Sequence, residues 1–174
     1  MKYLVKFFVV IFFLIISTHT YAEQKIVVLD MKHVLNNSKA GKGAQEFLKK
    51  SFNDNANKFS AMEKALKKEE SDLLGKRTIL TKEEYGKKSD ALRKKVIDYQ
   101  SQRRLSLDKI STQRAKSRET LMNKIKPIVD SYINENNISI VMDKKNMIGG
   151  LKKYDITQII VKKLNEELPS IKIE

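Results

Sequence analysis

Chemistry needs convergent groups, so the residues able to supply them come first. His33 is the only histidine downstream of residue 22, and the chain has no cysteine. A metal site or a nucleophilic triad needs several such partners at workable spacing, so neither is expected at His33. Glu63, Glu69, Glu70, Glu83 and Glu84 lie among lysines in helix-forming stretches. That pattern makes solvated pairs along a helix rather than an acid–base couple. Gly41-Lys42-Gly43 lacks the preceding strand and the full spacing of a phosphate loop. Asp155-Ile156-Thr157 offers side chains that accept from free amides at a helix start. Asp30 and Asp143 close short apolar runs and suit turn amides. No residue set predicts catalysis, and no metal or cofactor is expected.

What remains is the chemistry of surfaces. The 174 residues carry 35 Lys and Arg against 21 Asp and Glu, a net charge of +14. A field of that sign attracts acidic polypeptides, anionic surfaces or nucleic acid. The start of the chain narrows the choice. Lys2 and Lys6 precede an unbroken apolar run from Phe7 to Ile16, and Thr20 and Ala22 supply small residues after it. A basic start, a run of about 10 apolar residues and a small-residue exit predict a secretory signal removed after Ala22. A membrane span would need about 20 apolar residues. Removing Lys2 and Lys6 with residues 1–22 takes the charge from +14 to +12. Export argues against nucleic acid as a partner, and the missing cysteines leave stability to packing or oligomerisation.

The elements that must position these surfaces follow from periodicity. Ile26 to Leu29 is a short β-branched run that predicts a buried strand. Asn36, Asn37 and Ser38 are all good caps for a helix starting there. Phe52, Phe59, Leu66 and Leu73 recur every seven residues, with Leu48 and Met62 at the complementary position. Asn55, Glu69 and Lys76 share the Leu48 register and spoil the seam. Gly75 breaks the pattern, and Thr81-Lys82-Glu83-Glu84 is a capping box that restarts it. The second helix carries Tyr85, Leu92, Val96 and Tyr99, becomes polar over residues 100–120, and regains an apolar face from Leu121 to Ile133. Pro127 should kink or divide it. Residues 138–142 predict a second strand, and 147–151 a third weakened by Gly149 and Gly150. A last helix capped by Asp155 or Thr157 should face inward with Ile156, Ile159, Ile160, Leu164 and Leu168, and end at Pro169.

The predicted fold class is α+β: a long antiparallel, coiled-coil-like helical hairpin over 41–136, projecting from a small strand-containing body. The body is expected from residues 23–40 and 137–174. Its few strands leave open edges that are marginal in isolation, which argues for an oligomer without giving its number.

Several segments resemble the Skp, or OmpH-like, family of periplasmic chaperones. They are Lys25-Ile-Val-Val-Leu-Asp30, Asn37-Ser-Lys-Ala-Gly-Lys42, Leu80-Thr-Lys-Glu-Glu84, Ile140-Val-Met-Asp143, Tyr154-Asp-Ile-Thr157 and Lys163-Leu-Asn165. Their order and spacing span nearly the whole chain after residue 22. The resemblance implies a homotrimer in the periplasm, with three hairpins around a cavity. It further implies that unfolded outer-membrane proteins are held there without ATP.

A holding protein needs many weak, interchangeable contacts, which scattered apolar side chains on extended arms supply. Leu73, Leu74, Ile79 and Leu80 at the hairpin tip are candidate client contacts, with packing of the turn as the competing reading. Met62 is a further candidate because its side chain is adaptable, with core packing as the alternative. The basic charge adds lipopolysaccharide or an anionic membrane surface as a candidate partner. The competing function is a structural or tethering coiled-coil protein of the cell envelope.

Overall fold

The structure, a computed structural model, describes residues 24–173. The expected signal and its cleavage after Ala22 lie outside the described residues. The chain runs β1 (Ile26–Leu29), α1 (Met31–Asn37), α2 (Lys39–Gly75), α3 (Lys82–Glu135), β2 (Ile140–Asp143), single 3-10 turns at Lys144–Asn146 and Lys152–Tyr154, and α4 (Thr157–Glu167). The architecture is the one the sequence predicts, a long antiparallel helical hairpin on a small strand-containing body.

The body is organised around β1. Val27 and Leu29 are buried, and β1 pairs in parallel with β2, Ile26 opposite Ile140 and Leu29 opposite Asp143. A parallel pair cannot be closed by a tight turn. Here the crossover is the whole hairpin, which leaves the body after β1 and returns before β2. On the other side of β1, Val28 bridges to Asp155, and the Ile156 amide donates to the Val28 carbonyl at 2.9 Å. Residues 147–151 therefore do not form the expected third strand. The free side of β1 is taken by Asp155 and Ile156, and the Gly149-Gly150 pair loses more entropy on extension than other residues would. Val34, Ile125, Ile160 and Leu164 are fully buried and fill the space between the sheet and three helices. Ile159, expected on the inner face of α4, is 42% exposed. The face that packs inward follows Ile160, Val161 and Leu164, which turns Ile159 aside.

Side-chain caps set the directions of the helices. Asp30 Oδ1 accepts from the His33 amide at 2.7 Å and starts α1. Ser38, completely buried, ends α1 and starts α2, its hydroxyl accepting from the Gly41 amide at 3.1 Å. The Lys39 amide donates to Asn165 Oδ1 of α4 at 2.6 Å. Thr157, one of the two residues expected to cap α4, serves elsewhere: its hydroxyl accepts from the Asp30 amide at 2.9 Å. Asp155 instead receives the Thr157 amide at 2.9 Å. At the far end of α3, Asn137 adopts φ 52° and the Ile138 amide returns to the Ile133 carbonyl at 3.0 Å. This is the left-handed stop that asparagine tolerates better than most residues. Pro127 neither ends nor divides α3, which continues to Glu135 and forgoes one internal hydrogen bond.

Two measurements follow from this packing. A Cβ on Gly41 would stand 1.9 Å from the Leu35 carbonyl oxygen, whereas one on Gly43 would meet nothing within 4 Å. Gly41→Ala should destabilise the protein by about 1–3 kcal/mol, because a close backbone approach has to open. Gly43→Ala should be neutral or stabilising by up to ~1 kcal/mol through helix propensity. Denaturant midpoints of the two variants check the contrast.

The second measurement is of pH. Partial burial pushes the Asp155 carboxyl up, but Lys144 at 2.7 Å and the hydroxyl and amide of Thr157 together overcome it and bring it from 3.8 down to about 2. A carboxyl depressed on folding stabilises the fold above its ordinary range, and that contribution, on the order of 1 kcal/mol once solvent screening of the half-exposed Lys144 is allowed for, is lost as pH falls from about 4 to about 2. Asp155→Asn should lower stability at neutral pH and flatten the acid limb of the stability curve over that window.

Candidate functional site

Among the described residues, no three His, Asp or Glu side chains stand close enough to hold a metal ion. His33 places Nε2 3.1 Å from the amide nitrogen of Gln158, tying α1 to α4. The candidate site is therefore the surface of the hairpin.

At 1.5 Å per residue, the 37 residues of α2 and 54 of α3 make helices of about 55 and 80 Å. They pack antiparallel. Lys95 of α3 reaches Glu69 of α2 at 2.6 Å, and the Phe59 and Tyr99 rings meet edge to face with centroids 6.0 Å apart. The seam of α2 follows Ala44, Leu48, Ser51, Asn55, Phe59, Met62, Leu66, Glu69 and Leu73. Its outer part keeps the expected sevenfold repeat. Between Ser51 and Phe59 it advances twice by four residues, a stutter that rotates the root of the helix. Phe52 is thereby turned off the seam and is 51% exposed. Lys76, expected in the same register as Asn55 and Glu69, lies beyond the last turn as the C-cap and is exposed.

The polar seam positions are satisfied locally. The Asn55 side-chain amide donates to the Ser51 carbonyl at 2.9 Å, and Glu69 receives Lys95 through both oxygens. In α3 the buried Ser117 hydroxyl donates to the Gln113 carbonyl at 2.7 Å. Glu63 lies 2.8 Å from Lys67, whose hydrogen bond and charge hold the carboxyl below its ordinary value. The interface between the arms is thus held by a sparse apolar seam and, among the described residues, one exposed ion pair across it, Lys95 with Glu69, worth little.

The tip turns on hydrogen bonds from Lys76 and Arg77 back to the carbonyls of Leu73 and Leu74. Thr81 and Glu84 cap α3 reciprocally. Leu74 and Ile79 point outward, Ile79 at 81% exposure, while Leu73 and Leu80 are half-buried against the turn. Met62 is half-buried on the seam. The structure thus brings Leu73, Leu74, Ile79 and Leu80 together and leaves Met62 apart from them. It also exposes Phe47, Phe52, Ile97, Leu105 and Leu107, which the sequence reading did not single out as contacts. Phe47, Ile97, Leu105 and Leu107 stand off the sevenfold repeat, which was the signal available for them; Phe52 stands on it and gave none.

Three grooves lie along the hairpin. The root groove, about 710 Å³, is lined by Leu48, Phe52, Lys42, Lys49, Arg114 and Arg118 among others. The next shares Phe52 with it and adds Phe59, Tyr99, Arg103 and Leu107. The third shares Glu63 and Tyr99 with the second and continues over Leu66, Leu92 and Val96. The shared residues make one continuous trough. No helix among the described residues is long and apolar enough to cross a membrane.

A second exposed apolar surface lies on the body. Ile26, Ile140 and Met142 of the sheet are exposed, as are Ile148, Leu151 and Tyr154 in the segment that follows.

A family model described as outer membrane protein (OmpH-like) matches residues 25–164. The crystal structure of a protein from Caulobacter crescentus CB15, assigned as an outer membrane chaperone (OmpH-like), shares the fold with a TM-score of 0.80. It is 16% identical and covers 91% of this chain and 94% of that one. No curated protein matches the chain.

If the polar seam keeps the arms loosely paired, the double variant Asn55→Leu, Glu69→Leu should tighten them. Burying two more leucines should stabilise the hairpin by roughly 1–3 kcal/mol. Hydrogen exchange should then slow across both helices between residues 44 and 110. Unchanged protection there would show that the seam is not limited by these two positions.

Proposed function

Because the chain belongs to the OmpH-like family, we propose that it is an ATP-independent holdase chaperone of the periplasm. It binds unfolded outer-membrane proteins and prevents their aggregation on the way to the outer membrane. The observation that carries this reading is the separation of exposed apolar side chains into two sets. One set lies on the sheet and the segment after it, in the body, and the other is dispersed along the arms and tip.

The body set supports assembly. A two-stranded sheet with an exposed apolar face is marginal by itself, and a homotrimer built on residues 23–40 and 137–174 would bury that face. The arms, residues 41–136, would then surround a common space. The dispersed set supports weak and interchangeable binding. Leu74 and Ile79 at the tip, with Leu73, Leu80 and Met62 nearby or below, supply contacts worth about 0.8 kcal/mol per buried methylene, so each is reversible and their number sets the affinity. The basic charge attracts acidic polypeptides from a distance, and lipopolysaccharide or an anionic membrane surface has the same complementarity. Release needs no nucleotide, since no single contact is strong.

The mature protein, residues 23–174, should suppress aggregation of a diluted, denatured β-barrel protein at stoichiometric amounts without nucleotide. A tethering protein of the envelope would not. Native mass measurement should give three chains. A variant lacking residues 60–95, closed by a short turn, should still assemble as three chains and lose most of the suppression. A monomeric product would reject assembly through the body.

A further inference from the structure

The trough along the hairpin changes character from root to tip. At the root, Lys42, Lys49, Arg114 and Arg118 face a single carboxylate, Glu46. None of these four cations forms an ion pair among the described residues. Farther out the lining charges balance: Arg103 stands with Glu63 in the second groove, Lys67 and Arg93 with Glu63 and Glu70 in the third, and Lys67 sits 2.8 Å from Glu63. The unmatched charge coincides with an apolar floor, Leu48 and Phe52, and that floor runs on through Phe59 and Tyr99 to Leu66 and Val96. Solvated lysines alone would carry no meaning. Their concentration at one end of a continuous apolar trough gives that trough a direction.

An extended polypeptide has the matching geometry. Alternate side chains point to opposite sides, so one set can lie on the floor while the other stands at the rim. From Leu48 to Leu66 along α2 is about 27 Å, the span of about eight residues of strand. A compact ligand would use only one of the three grooves.

Resting on the reading that the arms hold unfolded polypeptide, we propose that this trough takes an extended segment with apolar residues at alternate positions and acidic residues at one end. The acids dock on Lys49 and Arg114 at the root, and the apolar positions run outward over Phe52, Phe59 and Leu66. The segment is held in one orientation, acidic end toward the body.

The test uses the mature protein and two labelled peptides of about eight residues. Both alternate apolar and polar residues, one ending in aspartates and the other in asparagines. Lys49→Gln with Arg114→Gln should weaken the acidic peptide roughly fivefold, as expected for two exposed charge contacts. It should leave the neutral peptide unchanged. Lys50→Gln with Lys116→Gln removes the same charge at exposed positions that line none of the three grooves, and should leave both peptides unchanged. Equal weakening by the two pairs would mean a diffuse field and overturn the site. A photoreactive phenylalanine at position 52 should capture the acidic peptide. Capture of a second copy's arm in its place would also overturn it. The aggregation assay on the unmutated protein keeps the two readings apart. Suppression together with indifferent peptide titrations rejects the trough and retains the holding role. Failure of suppression rejects that role, and the titrations still decide the trough.

Discussion

The whole arm hangs on one close approach, the Gly41 backbone against the Leu35 carbonyl. Only a residue without a side chain lets α2 start directly beneath the end of α1. Ser38 is sealed into the same corner and ties its hydroxyl to Gly41, while Asn165 comes from the end of the chain to take the first free amide of α2. The direction in which the hairpin leaves the body is therefore set by three contacts, two between residues close in sequence and one from Asn165, 126 residues on from Lys39. A polar group in such a corner is costly unless paired, and here each has its partner.

Stability is distributed unevenly. The body holds the fully buried side chains and the network of Asp30, Thr157, Asp155 and Lys144, in which one side chain ends a strand, another starts a helix and a third neutralises it. The arms rely on a seam in which Asn55, Glu69, Gln113 and Ser117 occupy places that a tight coiled coil would give to leucine or isoleucine. Local opening costs less where few apolar contacts are lost. An arm of this kind holds its length while its seam opens at low cost, which is the mechanical requirement of the holding role proposed for it.

The hairpin was legible because helix periodicity and punctuation are local. The capping box at Thr81, the break at Gly75 and the sevenfold repeat from Phe59 to Leu73 each depend on neighbours within a turn or two, and each appears where the sequence places it. Ser38 as a cap was legible for the same reason, whereas Asp30, read as serving turn amides, starts a helix. Residues 147–151 were misread because a strand exists only if an edge accepts it, and the edge in question was occupied by Asp155, a fact about the other end of the body. Phe52 and Ile159 were misplaced because a seam can slip by one residue at no local cost.

By itself the sequence determined the two arms, the paired strands, the last helix, their order and the basic charge, because composition, spacing and capping act over a few residues. Tertiary structure alone decided that β1 and β2 pair in parallel across the hairpin. It also decided that Thr157 serves Asp30 rather than its own helix, and that the grooves of the arm join into one trough with an excess of cations at the root. Those outcomes depend on which distant segments share a backbone edge or a side-chain contact, and no pattern within a single helix or strand carries that information.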